Sequence, residues 1–106
     1  MQMVFRYFFD PGSGTCLWSA NAETETRYDY PVDHHTLPIS APLKQRLDRL
    51  TEWFDSDYNW DNPAGEGKWS DAERQAFWRE ADATLASLRE ELPLPGTEIR
   101  NESRPA

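Results

Sequence analysis

The chain has 106 residues and a formal charge of −8, from 11 basic and 19 acidic side chains. It is long enough for one domain with one modest core, and a field of that sign repels phosphate backbones and anionic lipid, which argues against nucleic-acid and membrane partners. Apolar residues make up 38% of the chain, below the ~45–50% of ordinary globular domains, and five Trp, five Phe and four Tyr compensate with large buried area per residue.

Met3–Phe9 is dense in Val, Phe and Tyr, which favour strands. Arg6 interrupts the apolar run and no small-residue cleavage site follows, so a strand is expected here and not a signal peptide. Alternation puts Met3, Phe5, Tyr7 and Phe9 on one face and Val4, Arg6 and Phe8 on the other. A strand apolar on both faces suits the middle of a sheet that helices cover on at least one side. Asp10-Pro11-Gly12-Ser13-Gly14 breaks the strand, and Thr15–Ala20 reads as its hairpin partner. There Cys16 and Trp18 face one way, Leu17 and Ser19 the other. The glycines do not make a phosphate loop, because that motif needs a helix start and a Lys, and here a strand follows. Cys16 is the single cysteine, so no internal disulfide can form, which fits a reducing cytoplasm. No apolar run approaches the ~20 residues of a membrane span. A soluble cytoplasmic protein is expected.

Asn21–Thr26 reads as a polar turn, and Arg27–Val32, with Tyr28, Tyr30 and Val32 alternating, as a third short strand. Pro31 lacks an N–H and pushes that strand to an edge. Then come His34 and His35, with Asp29 and Asp33 close by, which raises a metal site or a small hydrolase-type active site. Neighbours in extended chain point to opposite sides, however, and no second His or Cys pair supports a metal. Solvated or locally bonded loop histidines are expected.

Ser40 is a good N-cap and Pro42 sits in a first turn, so a helix should run from about Ala41 to Phe54. Leu43, Leu47, Leu50 and Phe54 form its apolar face. Ser70-Asp71-Ala72-Glu73 is a capping box for a second helix, which carries Phe77, Ala81, Leu85, Leu88 and Leu92 inward. Pro93 and Pro95 should end it near Glu91 or Leu92. Gly96–Asn101 reads as one more strand through Ile99, and residues 102–106 as a frayed tail. The expected fold is therefore α+β, in the order β-β-β-α-α-β. An antiparallel sheet of three to four strands packs on a two-helix pair, in one domain spanning 1–101.

Between the helices lies Trp53–Trp69, WFDSDYNWDNPAGEGKW. Such connections usually take ~2–8 residues, and this one is longer. Residues 52–73 carry seven acids and one base, so −6 of the total −8 is concentrated here. Three readings fit. In the first, Asp55, Asp57, Asn59, Asp61 and Glu66 stand at EF-hand-like positions for calcium, although Trp60 sits where the sharp turn wants Gly and Pro63 falls within the loop. In the second, Trp60 and Trp69 fold back over the helices while the carboxylates cap loose backbone N–H groups. In the third, which we adopt for function, Asp55, Asp57, Tyr58, Trp60, Asp61 and Trp69 form a binding surface for a basic protein. Trp60 is then the anchor and the acids supply steering charge.

The series LWS, YPV, LPIS, NWDNP and WS-x-x-E resembles small acidic bacterial proteins of actinobacterial type. Small proteins of this class include immunity proteins and other toxin or enzyme inhibitors, so the resemblance implies, by analogy of class, a non-catalytic protein that binds and inhibits another protein. No nucleophile motif, cofactor fingerprint or recognised ligand cluster is present. Catalysis and cofactors are accordingly not expected.

Overall fold

A computed structural model describes residues 2–59, 61–62, 65, 67–92 and 96–103. These form strand β1 (Val4–Tyr7), strand β2 (Leu17–Ser19), helix α1 (Ala22–Tyr28), strand β3 (Pro31–Val32), one 3₁₀ turn (His34–Thr36), helix α2 (Ala41–Asp57), helix α3 (Asp71–Glu91) and strand β4 (Glu98–Asn101). The class is α+β, as expected from the sequence.

The four strands lie in the order β3-β2-β1-β4. β1 is internal, as its two apolar faces require. Tyr7 opposes Leu17, and Leu17 opposes Val32, across antiparallel ladders. Phe5 opposes Ile99 on the other side. These five residues share one face and are buried against Leu43, Leu47, Leu85, Leu88 and Leu92. At ~25 cal/mol per Å² of apolar surface, a fully buried Leu or Phe contributes ~1.5–3 kcal/mol, and this layer is the main source of stability. Burial has chemical consequences inside it. The Tyr7 phenol is pushed well above its usual range, chiefly by burial and then by Cys16 and Asp82 nearby, and it donates to the Ala81 carbonyl at 2.9 Å. Burial likewise pushes the Cys16 thiol up to about 12, which leaves it protonated and unreactive.

The sheet is mixed and not wholly antiparallel, because β4 runs parallel to β1. The reason lies in the chain between β3 and α2. Two antiparallel pairings make β3 parallel to β1, and an antiparallel helix pair alone would bring the chain back to run against β1. Residues 33–40 reverse this by carrying the chain across the core, with Leu37 and Ile39 buried on the way. α2 therefore starts beside the end of α3, where Glu91 accepts from the Ser40 N–H and hydroxyl at 2.6 and 2.9 Å.

A second correction concerns residues 21–30. The expected polar turn and longer third strand are instead helix α1 followed by a two-residue strand. Asn21 caps the helix by accepting from the Thr24 N–H at 3.1 Å, Glu23 and Glu25 occupy its positive end and Arg27 its negative end. Asp29, with φ 67°, ends it, an angle that Asp tolerates better than most residues.

The helices themselves match the sequence pattern. Ser40 and Ser70 cap α2 and α3, accepting from the Leu43 and Glu73 N–H groups. α2 continues three residues past Phe54, to Asp57. The expected core positions Leu43, Leu47, Leu50, Phe77, Ala81, Leu85 and Leu88 are buried, while Phe54 is half-buried. Pro93 and Pro95, expected to stop α3, lie outside the described residues. Glu102 donates its N–H to the Tyr7 carbonyl at 2.9 Å and pairs with Arg6 at 2.9 Å; residues 104–106 lie outside the described set. Among the described residues no helix is long and apolar enough to cross a membrane.

Candidate functional site

The acidic, aromatic segment begins inside α2 and ends at the Ser70 cap. Its aromatic residues build a second core cluster, in which Trp69 and Phe77 join Leu50 and Ala81 under Trp53, Phe54 and Trp78. Trp69 is only 8% exposed, lies 4.8 Å from Phe77 between ring centroids and donates its indole N–H to Ser56 Oγ at 3.0 Å. It is therefore a packing residue.

The carboxylates divide into two groups. Asp55 Oδ1 accepts from the Gly12 N–H at 2.9 Å, which ties α2 to the β1–β2 turn. Asp57 Oδ1 accepts from the Trp69 N–H at 2.9 Å and lies 3.7 Å from Arg74. Asn59 Oδ1 accepts from the N–H groups of Asp61 and Asn62 at 3.2 and 3.1 Å. Glu73 Oε1 takes the Trp53 indole N–H at 3.2 Å, while its own N–H donates to Ser70 Oγ. Glu52, Asp61 and Asp71 stand on the outside, and the Asp71 side chain is 100% exposed. Tyr58 is half-buried. Asp55 and Asp57 thus bond to backbone groups on different elements. Trp60 and Glu66, the expected anchor and the last expected calcium ligand, lie outside the described residues.

The histidines are placed differently from the expectation. His34 and His35 occupy a 3₁₀ turn, capped by Asp33, whose carboxylate accepts from the His35 N–H at 2.9 Å. With three residues per turn, consecutive side chains diverge by less than they do in extended chain, and the two rings stack at 4.7 Å between centroids, tilted by 33°. Both Nε2 atoms meet one oxygen, Asp48 Oδ1 of α2, at 2.7 Å from His34 and 2.8 Å from His35. His34 is not solvated: its side chain is 2% exposed, against 52% for His35 and 41% for Asp48. Burial alone raises the Asp48 carboxyl, but hydrogen bonds from His34 and His35 outweigh it and hold the group below its usual value. The sequence contains Asp48 on the outer face of a helix pattern, one helical turn before Glu52, and nothing in that pattern points it at the turn.

The sheet face away from α2 and α3 carries a further cluster that alternation alone did not single out. Phe8 and Trp18 stack at 4.7 Å with 6° between planes, the Arg6 guanidinium lies 5.0 Å over Phe8, and Tyr30 beside Trp18 is 43% exposed. Two grooves on the described surface, one along α3 lined by Asp71, Arg74 and Trp78 and one beside α1 lined by Arg27, Asp29 and Asp33, hold neither histidine.

Among known proteins, the family described as Serratia CdiI immunity protein-like matches residues 10–99. That span takes in the whole segment from the β1–β2 turn to Ile99, including both the acidic segment and the histidine turn. No curated protein matches the chain.

Proposed function

The chain belongs to the Serratia CdiI immunity protein-like family, and from that premise we propose that it is a non-catalytic immunity protein that neutralises a protein toxin by binding it. Family membership over residues 10–99 is the observation that carries this reading. The partner's contact surface is basic, and the acidic segment 52–73 faces it. Of the acids there, Glu52, Asp61 and Asp71 point outward, whereas Asp55 and Asp57 hold backbone N–H groups. Steering therefore falls to the outward set, with Asp55 and Asp57 shaping the segment that presents it. Opposite charges across an interface raise the association rate by ~10–1,000-fold at low salt and suppress wrong partners. Trp60 and Tyr58 supply anchoring area to a basic surface. The protein acts in the cytoplasm, where a single buried thiol such as Cys16 stays reduced.

The test uses the purified chain to capture a partner from the native host. The captured protein, expressed alone, should arrest bacterial growth, and co-expression of the chain should restore it. Glu52→Lys/Asp61→Lys should weaken capture at least tenfold and slow association most strongly at low salt. A partner that is harmless when expressed alone, or whose toxicity persists with the chain present, overturns the immunity reading. Equal capture by wild type and double variant keeps the immunity reading but moves the contact surface off the acidic segment.

A further inference from the structure

We propose that His34 Nε2, His35 Nε2 and Asp48 Oδ1 form a binding site for a divalent first-row transition ion of the zinc class, independent of the toxin-binding reading. The three atoms lie within 4.8 Å of one another, and both imidazole tips already point at the same carboxylate oxygen. Two imidazoles and one carboxylate are the donor set that zinc takes with three protein ligands and one open position. Borderline imidazole nitrogen selects Zn²⁺, Co²⁺, Ni²⁺ or Cu²⁺ over Ca²⁺ and Mg²⁺, which require mostly oxygen.

The frame is built to hold this arrangement. The 3₁₀ turn is fixed from one side by the Asp33 cap, from the other by buried Leu37. His34 is enclosed, while His35 and Asp48 are half-exposed, which leaves an open side for the ion to enter and for water to complete its coordination. Ligand separations of 2.7 and 2.8 Å are shorter than the ~3.3 Å that ~2.0–2.1 Å bonds at tetrahedral angles require. The ion thus needs an opening of about half an ångström, which the two exposed side chains provide without moving His34.

Proton accounting sets the strength. Without metal, each Nε2 carries the hydrogen it donates to Asp48. On binding, each imidazole offers its Nε2 lone pair to the ion and carries its hydrogen on Nδ1 instead, with Asp48 an anion throughout. His34 Nδ1 is buried with no hydrogen-bond partner. A ligating histidine whose other nitrogen is unsupported loses ~10–100-fold in affinity, so the site is reversible and not a permanent structural centre.

The experiment uses the full chain made without a polyhistidine tag and stripped with a chelator. Co²⁺ should give a visible absorption band that saturates at one equivalent, and Zn²⁺ should displace it. Zn²⁺ at ~100 times its dissociation constant should raise the melting temperature by about 10–15 °C, with Ca²⁺ and Mg²⁺ producing no shift. His35→Ala, at an exposed position, and Asp48→Asn, which keeps an oxygen for both rings, should fold and lose at least tenfold in Zn²⁺ affinity. Absence of the cobalt band in wild type overturns the site. Wild-type affinity in both variants also overturns it and places any ion elsewhere.

Discussion

Two polar regions, the turn at residues 33–39 with Asp48 of α2 facing it and the longer connection with its flanking helix ends at residues 52–73, use their charged side chains in different ways. In the longer one the anchored carboxylates and amide bond to backbone: Asp55 to Gly12, Asp57 to Trp69, Asn59 to Asp61 and Asn62. In the shorter one side chains bond to each other, two imidazoles to one carboxylate. Residues 52–73 hold −6 of the total −8, whereas the two histidines of the shorter region converge with Asp48 of α2 on one point. Density of charge marks a surface or a set of caps; convergence of side-chain nitrogen and oxygen atoms on one point marks the candidate for a ligand.

The largest effect that can break this comparison is in the aromatic cluster beneath the longer connection. Phe77 is fully buried and meets Phe9, Trp53 and Trp69 at centroid distances of 5.1, 5.2 and 4.8 Å. Phe77→Ala should lower unfolding free energy by ~3–5 kcal/mol, read from the urea midpoint with the slope unchanged. A loss below ~1 kcal/mol would mean that this end of the molecule is loosely packed, and that its acids are not anchored as described.

Local rules made much of the fold legible. Ser40 with Pro42 and Ser70 with Glu73 placed both helix starts, and the i, i+3, i+4 spacing of Leu43, Leu47 and Leu50 and of Phe77, Ala81 and Leu85 named the buried faces. Alternation along Met3–Phe9 put Phe5 and Tyr7 on one face, and that face lies in the core. α1 was not legible from periodicity because Ala22–Tyr28 has no apolar stripe, although Asn21 followed by Glu23 was an available capping signal. The direction of β4 depends on the path of residues 33–40 across the core, a non-local property that no residue spacing encodes. The sequence raises a metal at His34 and His35 with Asp29 and Asp33, and extended geometry argues against it, whereas a 3₁₀ turn brings both ring tips together. The third member, Asp48, is thirteen or more residues away on a face that looked ordinary. Composition marks the acidic segment, but it does not separate Asp57, which caps the Trp69 N–H, from Asp61, which stands outside.

Intermediate effects sharpen the contrast between backbone capping and side-chain convergence. Asp48→Ala removes the acceptor of a buried ring, leaving both nitrogens of His34 without partners. An unsatisfied buried donor costs ~1–3 kcal/mol. Asp57→Ala strips the Trp69 N–H of its acceptor at a part-buried position and should cost ~1 kcal/mol, with Asp57→Asn recovering most of it. Chemical denaturation of the two variants, run in parallel, checks both. If Asp57→Ala is the more damaging, the longer connection depends on its cap more than the turn depends on Asp48.

The smallest effect discriminates best. His35 makes a contact with Asp48 of nearly the same length as His34 does, 2.8 against 2.7 Å, so distance alone would give the two histidines equal weight. Their surroundings differ. His35 is more than half exposed, and water replaces whatever its ring loses, so His35→Ala should change metal-free stability by no more than ~0.5 kcal/mol. Asp48 still accepts from His34 in that variant, and the buried ring keeps its partner. The same substitution should abolish most of the melting-temperature gain produced by Zn²⁺, because an ion needs the second imidazole although the fold does not. Thermal melts of wild type and His35→Ala, each with and without Zn²⁺, measure both quantities in one set. A metal-free loss as large as that of Asp48→Ala would show that the turn is held by the stacked rings, 4.7 Å apart, and that the convergence on Asp48 is a consequence of packing and not a poised ligand set.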